Sequence, residues 1–196
     1  MQPWLDTFRE SEHPPIADLA RRIFRASFNG TQALMSSVRD EDYIGRTERL
    51  YLVQFEFLYF FMHMASRVAF GELGHERRCK MQDQLIPLIV QPTIESIFGH
   101  SPANMKDKME SEFIEKLNNA ELEYATCKQL FDRENLFASN ALFSKFAAIV
   151  CDLLGLKRKG EDTIYLQTFA KVAELALDLY KELNLPEVIR ALDKDS

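Results

Sequence analysis

Four charged residues recur at helical spacing in and around the most apolar stretch of the chain: Arg49, Glu56, His63 and Arg67. Positions seven apart on a helix drift by only about 20°, so Arg49, Glu56 and His63 share one narrow strip. Arg67 continues that strip by a turn, and Tyr59 stands at its edge. A carboxylate and an imidazole can serve as acid and base, and an arginine beside them can hold an anionic group. Arg49, Glu56, Tyr59, His63 and Arg67 are therefore the candidate ligand-binding residues, lining a pocket in the bundle core. Two plainer readings compete: a solvated face of weak ion pairs, or a buried network that fixes helix register.

Seven positions span about 10 Å along a helix axis, so Glu56 and His63 cannot hold one small metal ion from this helix alone. The ferritin-like arrangement needs two Glu-x-x-His motifs. This chain has one, Glu72 to His75, interrupted by Gly74 and placed in a turn. His63, His75 and His100 stand alone, with no haem-attachment motif. Cys79, Cys127 and Cys151 form no CxxC pair, which excludes a thiolate zinc site and makes a disulfide framework unexpected. They read as small buried hydrophobes in a reducing cytoplasm. A GxSxG elbow, a Walker loop and a GxGxxG turn are all missing. No catalytic residue, metal or cofactor is assigned.

Three short basic clusters remain: Arg21-Arg22-Arg25, Arg77-Arg78-Lys80 and Lys157-Arg158-Lys159. Acidic neighbours (Asp18, Glu76, Glu161) make a solvated surface the expectation for each. The third, between predicted helices, is the best placed to meet an anionic partner. Arginine dominates the first hundred residues, ten against one lysine, and lysine the rest, ten against three. Organised ion pairs or a partner-facing surface in the first half would account for that drift, and so would composition alone.

The elements that must position these residues are helices, since apolar residues recur at three- and four-residue spacing and no period-2 strand is visible. Tyr165, Phe169, Val172, Ala176, Leu179 and Leu183 form a bundle seam between Gly160 and Pro186. Leu142, Phe146, Ile149, Leu153 and Leu156 form a second, closed by a left-handed Gly155. A third helix starts with Ser101 as cap and Pro102 in its first position. It carries Met109, Phe113, Leu117, Ala120, Tyr124, Cys127 and Phe131, with Asn118 and Asn119 in solvent. After His13-Pro14-Pro15, a helix bearing Ile16, Leu19 and Ile23 stops at Asn29-Gly30, and Thr31 caps a short continuation through Leu34 to Val38. Asp40 or Asp42 opens the helix that reaches Phe70, Gly71 and Gly74 break it, and another follows from His75 to Phe98 with a kink at Pro87 and a kink or division at Pro92.

Seven glycines and seven prolines in 196 residues are too few for an all-β chain, and 46% hydrophobic content is too apolar for disorder. The expected architecture is an all-α, single-domain bundle of about six helices over residues 1–196, with 1–14 as an arm or short helix. The helix around 43–70 is central, and the one around 75–98 is Pro-kinked. The stretch from Leu50 to Met64 is too short and too polar to span a bilayer, and no signal peptide is read at Met1–Asp6. The net charge of −6 disfavours a nucleic-acid partner. Fifteen phenylalanines, four of them between Phe55 and Phe61, imply an aromatic core, a dimer interface or an apolar cavity.

Without catalytic motifs, the expected function is non-enzymatic binding in the cytoplasm. The partner would be another protein, a second copy in a homodimer, or a small apolar or anionic ligand; nucleic acid and membrane are not expected. The alternative is an enzyme or metal or cofactor protein using a core site around Glu56, His63 and Arg67.

Overall fold

Helical periodicity becomes six helical segments in the computed structural model of the chain, which describes residues 14–37, 46–132, 134–135, 137–138, 140–156 and 163–194. They are α1 (Pro14–Ser37), α2 (Arg46–Phe98), α3 (Ala103–Ala125), α4 (Leu142–Leu153), α5 (Thr163–Leu183) and α6 (Leu185–Lys194). Among the described residues the only extended pairing is an isolated bridge between Gln129 and Ala141. The fold is the expected all-α bundle. The N-terminal arm, Val38, Asp40, Asp42 and the Lys157-Arg158-Lys159 cluster lie outside the described residues.

α2 is two helices in practice. Gly74 alone leaves helical geometry, with φ 80° and ψ 177°, a conformation that only glycine adopts without strain. Arg78 reaches the Ser66 hydroxyl at 3.4 Å. On a straight helix twelve residues would separate them by about 18 Å, beyond the reach of one arginine. The chain therefore turns back at Gly74, giving limbs 46–73 and 75–98. Pro87 and Pro92 lie within the second limb, and neither interrupts its helical dihedrals.

Two expected boundaries move. Gly30 does not end α1, which continues to Ser37. A Cβ there would come within 2.8 Å of Phe57 and Leu179 side-chain carbons, so the glycine is a point of close approach rather than a stop. Thr31 does not cap; its hydroxyl donates back to the Ser27 carbonyl at 2.9 Å. Ser101 does not cap α3 either, because that position belongs to Pro102 and the helix starts at Ala103.

α3 ends at Ala125, so Cys127 and Phe131 of its expected stripe lie past the helix and Phe131 is exposed, whereas the α5 seam follows its spacing. All six apolar residues of the α5 stripe are buried, and Gly155 takes φ 78° just past α4. α5 ends at Leu183, before Pro186 as expected, and Pro186 sits in the first turn of α6, a helix not anticipated from the sequence. Between the two, Asn184 adopts a left-handed φ of 45° and accepts the backbone N–H groups of Glu187 and Val188.

The first limb of α2 lies at the centre. Phe57, Leu58, Phe60 and Phe61 are fully buried, and α2 packs against α1, α3, α4 and α6. Phe60 meets the rings of Phe61, Tyr124, Phe143 and Phe146 at centroid distances of 4.3–5.7 Å. Much of the phenylalanine surplus is therefore core packing, with edge-to-face contacts that add to the burial of each ring. Among the described residues no helix is long and apolar enough to cross a membrane.

Candidate functional site

The charged strip of α2 faces α3 and the C-terminal ends of two helices, not water. The first limb of α2 packs on α3: Tyr59 meets Phe113, Phe60 and Glu56 meet Tyr124, His63 meets Glu121 and Arg67 reaches Cys127.

At the middle of the seam, His63 is buried and its Nδ1 lies 2.6 Å from Glu121 Oε2. The other carboxylate oxygen accepts the Ser66 hydroxyl at 3.1 Å. Arg78, reaching across from the second limb, donates to that same hydroxyl. The chain Arg78–Ser66–Glu121–His63 thus alternates cation, hydroxyl, carboxylate and imidazole, so the part-buried carboxylate has donors on both oxygens. With Nδ1 engaged by Glu121, the working nitrogen of such a dyad would be Nε2. That atom is buried and has no partner, as are the Tyr59 hydroxyl and Arg78 Nε.

Glu56 does not join His63. Its carboxyl accepts the hydroxyl of the fully buried Tyr124. Burial pushes the Glu56 carboxyl up to about 7, opposed by the Tyr124 hydrogen bond and assisted by the nearby Glu123 charge. Burial likewise raises the Tyr124 and Tyr59 hydroxyls well above the ordinary phenol range.

The two arginines that bracket the strip serve helix ends. Arg67 donates to the Cys127 carbonyl at 3.0 Å, just past α3. Arg49 donates to the Leu154 carbonyl at 2.9 Å, at the end of α4, and its guanidinium packs over Gly155. Both sit where unsatisfied carbonyls concentrate negative partial charge. Arg49, Glu56, His63 and Arg67 therefore each hold internal partners, and among the five candidates two buried polar atoms have none, the Tyr59 hydroxyl and His63 Nε2.

Glu121, Ser66, Arg78 and Tyr124 complete the site, and none was a candidate from the sequence. Glu121 lay within view, since it stands four residues after Leu117 and three before Tyr124, on the edge of α3's apolar stripe. The others offered less. Ser66 and Arg78 meet only because the chain folds back at Gly74.

The basic clusters divide. Arg78 turns inward, and Lys80 pairs with Glu76 at 2.8 Å on the surface. Glu72, of the lone Glu-x-x-His motif, holds Arg190 of α6 through two hydrogen bonds of 2.8 and 3.0 Å. No group of three or more His, Cys, Asp or Glu able to hold a metal occurs among the described residues.

The first cluster lines an open groove of about 340 Å³ between α1 and α5. Asp18 accepts Arg21 at 3.3 Å and Arg22 at 2.6 Å. Arg25 is exposed on the same wall and has no ion pair among the described residues, with the Asn29 amide one turn beyond it. Leu179 and Leu183 contribute apolar surface and Glu182 an acidic edge. Neither this groove nor a smaller pocket near the start of α4 is lined by any residue of the α2–α3 seam. Comparison with known proteins gives no match to this chain, whether among family models, curated proteins or solved structures.

Proposed function

We propose that this protein acts by binding, and that the α1–α5 groove is the surface that takes an acidic segment of a partner protein. Arg25 carries the reading: it is an exposed guanidinium with no ion pair among the described residues, on the wall of a groove with apolar leucines. Arg21, Arg22 and Arg25 cover about one turn of α1, a spacing suited to successive carboxylates of a peptide. Guanidinium forks favour bidentate contact with carboxylates over point-charge attraction. Leu179 and Leu183 would accept an apolar side chain between the acidic ones. Three free cysteines suit a reducing cytoplasm. A homodimer would be a second form of the same binding role, and nucleic acid and membrane are not the partners proposed.

Fluorescence anisotropy with a labelled eight-residue peptide of Glu and Asp around a Leu pair tests the reading. Binding should weaken as salt rises and fall at least tenfold in Arg25→Glu, while Lys80→Glu leaves it unchanged. No binding at low salt, or equal losses in both variants, would sink it.

One observation favours an enzyme instead. His63 Nε2 and the Tyr59 hydroxyl are unpartnered on the face of α2 that also carries Glu56, whose carboxyl titrates near neutrality. That reading requires the seam to open. Small-molecule screening by NMR would support it if a compound moved the His63 ring resonances, and would oppose it if none did.

A further inference from the structure

We infer that a pocket at the N-terminus of α4 binds a small carboxylic acid with an apolar body, a site separate from the α1–α5 groove and going beyond that reading. The pocket arises from how the loop after α3 meets α4. Leu142 donates its backbone N–H to Gln129 at 2.9 Å, Phe143 to Leu130 at 3.2 Å and Lys145 to Ala141 at 2.9 Å. Ala141, at the cap position, has no side chain able to cap. Of that first turn, the Ser144 N–H is the one left without an acceptor among the described residues.

A second observation points the same way. The Ser144 side chain lines the pocket, the residue is only 8% exposed, and its hydroxyl has no partner among the described residues. Two unused donors of one residue, at the positive end of a twelve-residue helix, ask for an anion. Lys145 adds an ammonium at the rim, where it lies 3.3 Å from Glu123. That carboxylate takes part of the lysine's charge, so Ser144 and the helix end are the principal anion contacts.

The walls define the rest of the ligand. Phe137, Ala148, Tyr165 and Phe169 line the pocket, and the Phe137 and Phe169 ring centroids stand 4.6 Å apart. The volume is about 140 Å³, close to that of cavities of about 150 Å³ that accept benzene. An aromatic or branched aliphatic body of about six to nine heavy atoms fits, its carboxylate on Ser144 and its apolar end against the rings.

The test is titration of the full chain with benzoate, followed by two-dimensional NMR. Resonances of Ser144, Ala148 and Phe169 should move with benzoate and not with benzylamine or benzyl alcohol. Ser144→Ala, which removes the hydroxyl and adds no atom, should weaken binding about tenfold. Ala148→Leu, which fills the pocket, should abolish it. Thermal melts of both variants establish that they fold. The proposal is overturned if benzoate shifts none of these residues, moves only Arg21–Asn29, binds no better than benzyl alcohol, or binds Ser144→Ala as it binds the natural chain.

Discussion

The α2–α3 seam and the α1–α5 groove are built from the same residue types and end up opposite in kind. Each brings arginines and carboxylates onto a helical face beside apolar neighbours. In the seam the charges of the strip are closed by partners from other elements: His63 by Glu121, Glu56 by Tyr124, Arg67 and Arg49 by helix-end carbonyls. In the groove the ion pairs among the described residues are local, Asp18 with arginines three and four residues away, and Arg25 has none there. Local exposed pairs contribute about 0.3–0.5 kcal/mol, whereas a buried pair costs several kcal/mol to break. Residue type therefore says little about role here. What differs is whether a charge is satisfied from across the fold.

Cutting the seam gives the largest effect. Glu121→Ala removes the acceptor for both His63 Nδ1 and the Ser66 hydroxyl, and leaves Arg78 facing a hydroxyl with no anion behind it. The expected loss is about 2–4 kcal/mol in urea denaturation. A double-mutant cycle with His63→Ala should return a coupling of about 1–3 kcal/mol. A loss under about 0.5 kcal/mol would mean that the seam is as solvated as the groove, and the contrast would fail.

Glu56 gives the next effect, with the opposite sign. Its folded-state value of about 7 lies above the ordinary 4.5, so the folded chain holds a proton that the unfolded chain releases. That contribution is fully present below pH 4.5 and is lost as pH rises through 7. Glutamine cannot ionise and still offers a carbonyl to the Tyr124 hydroxyl. Glu56→Gln should flatten the pH dependence of stability across that window. At pH 8 it should exceed the natural chain by on the order of 2–3 kcal/mol. Identical pH profiles for the two proteins would show that Glu56 titrates as a surface carboxylate.

How much of this was legible in the sequence depends on the range of the interaction. The bundle was, because each helix buries a stripe whose period is local; the α5 stripe from Tyr165 to Leu183 needed nothing beyond its own spacing. The break at Gly74 was visible for the same reason. The strip on α2 was visible as a line of charges, but its meaning was not. Glu121, Tyr124 and two helix-end carbonyls reach it from 58 to 105 residues away. Gly30 misled in the same manner: as a residue it signals a stop, and only Phe57 and Leu179 explain why a side chain is excluded there. That contact also sets how closely α5 lies on α1, and so the width of the groove. Gly30→Ala gains helix propensity of about 1 kcal/mol but overpacks by about 1–3 kcal/mol, for a net loss of about 1 kcal/mol in thermal denaturation. A net gain would show that α5 can shift away without cost.

The groove itself should be silent in the same measurements. Arg25 is exposed, and neither its charge nor its packing is used inside the fold, so Arg25→Glu should change stability by less than about 0.5 kcal/mol. The added carboxylate stands one turn from Asn29 and beside Arg21 and Arg22, where it can form a further local pair of small value. Loss of acidic-peptide binding with folding stability unchanged is the signature of a surface kept for something outside the molecule. If Arg25→Glu instead destabilised as much as Glu121→Ala, the groove would be a second structural seam. The distinction between charges closed from within and charges left for a partner would then collapse.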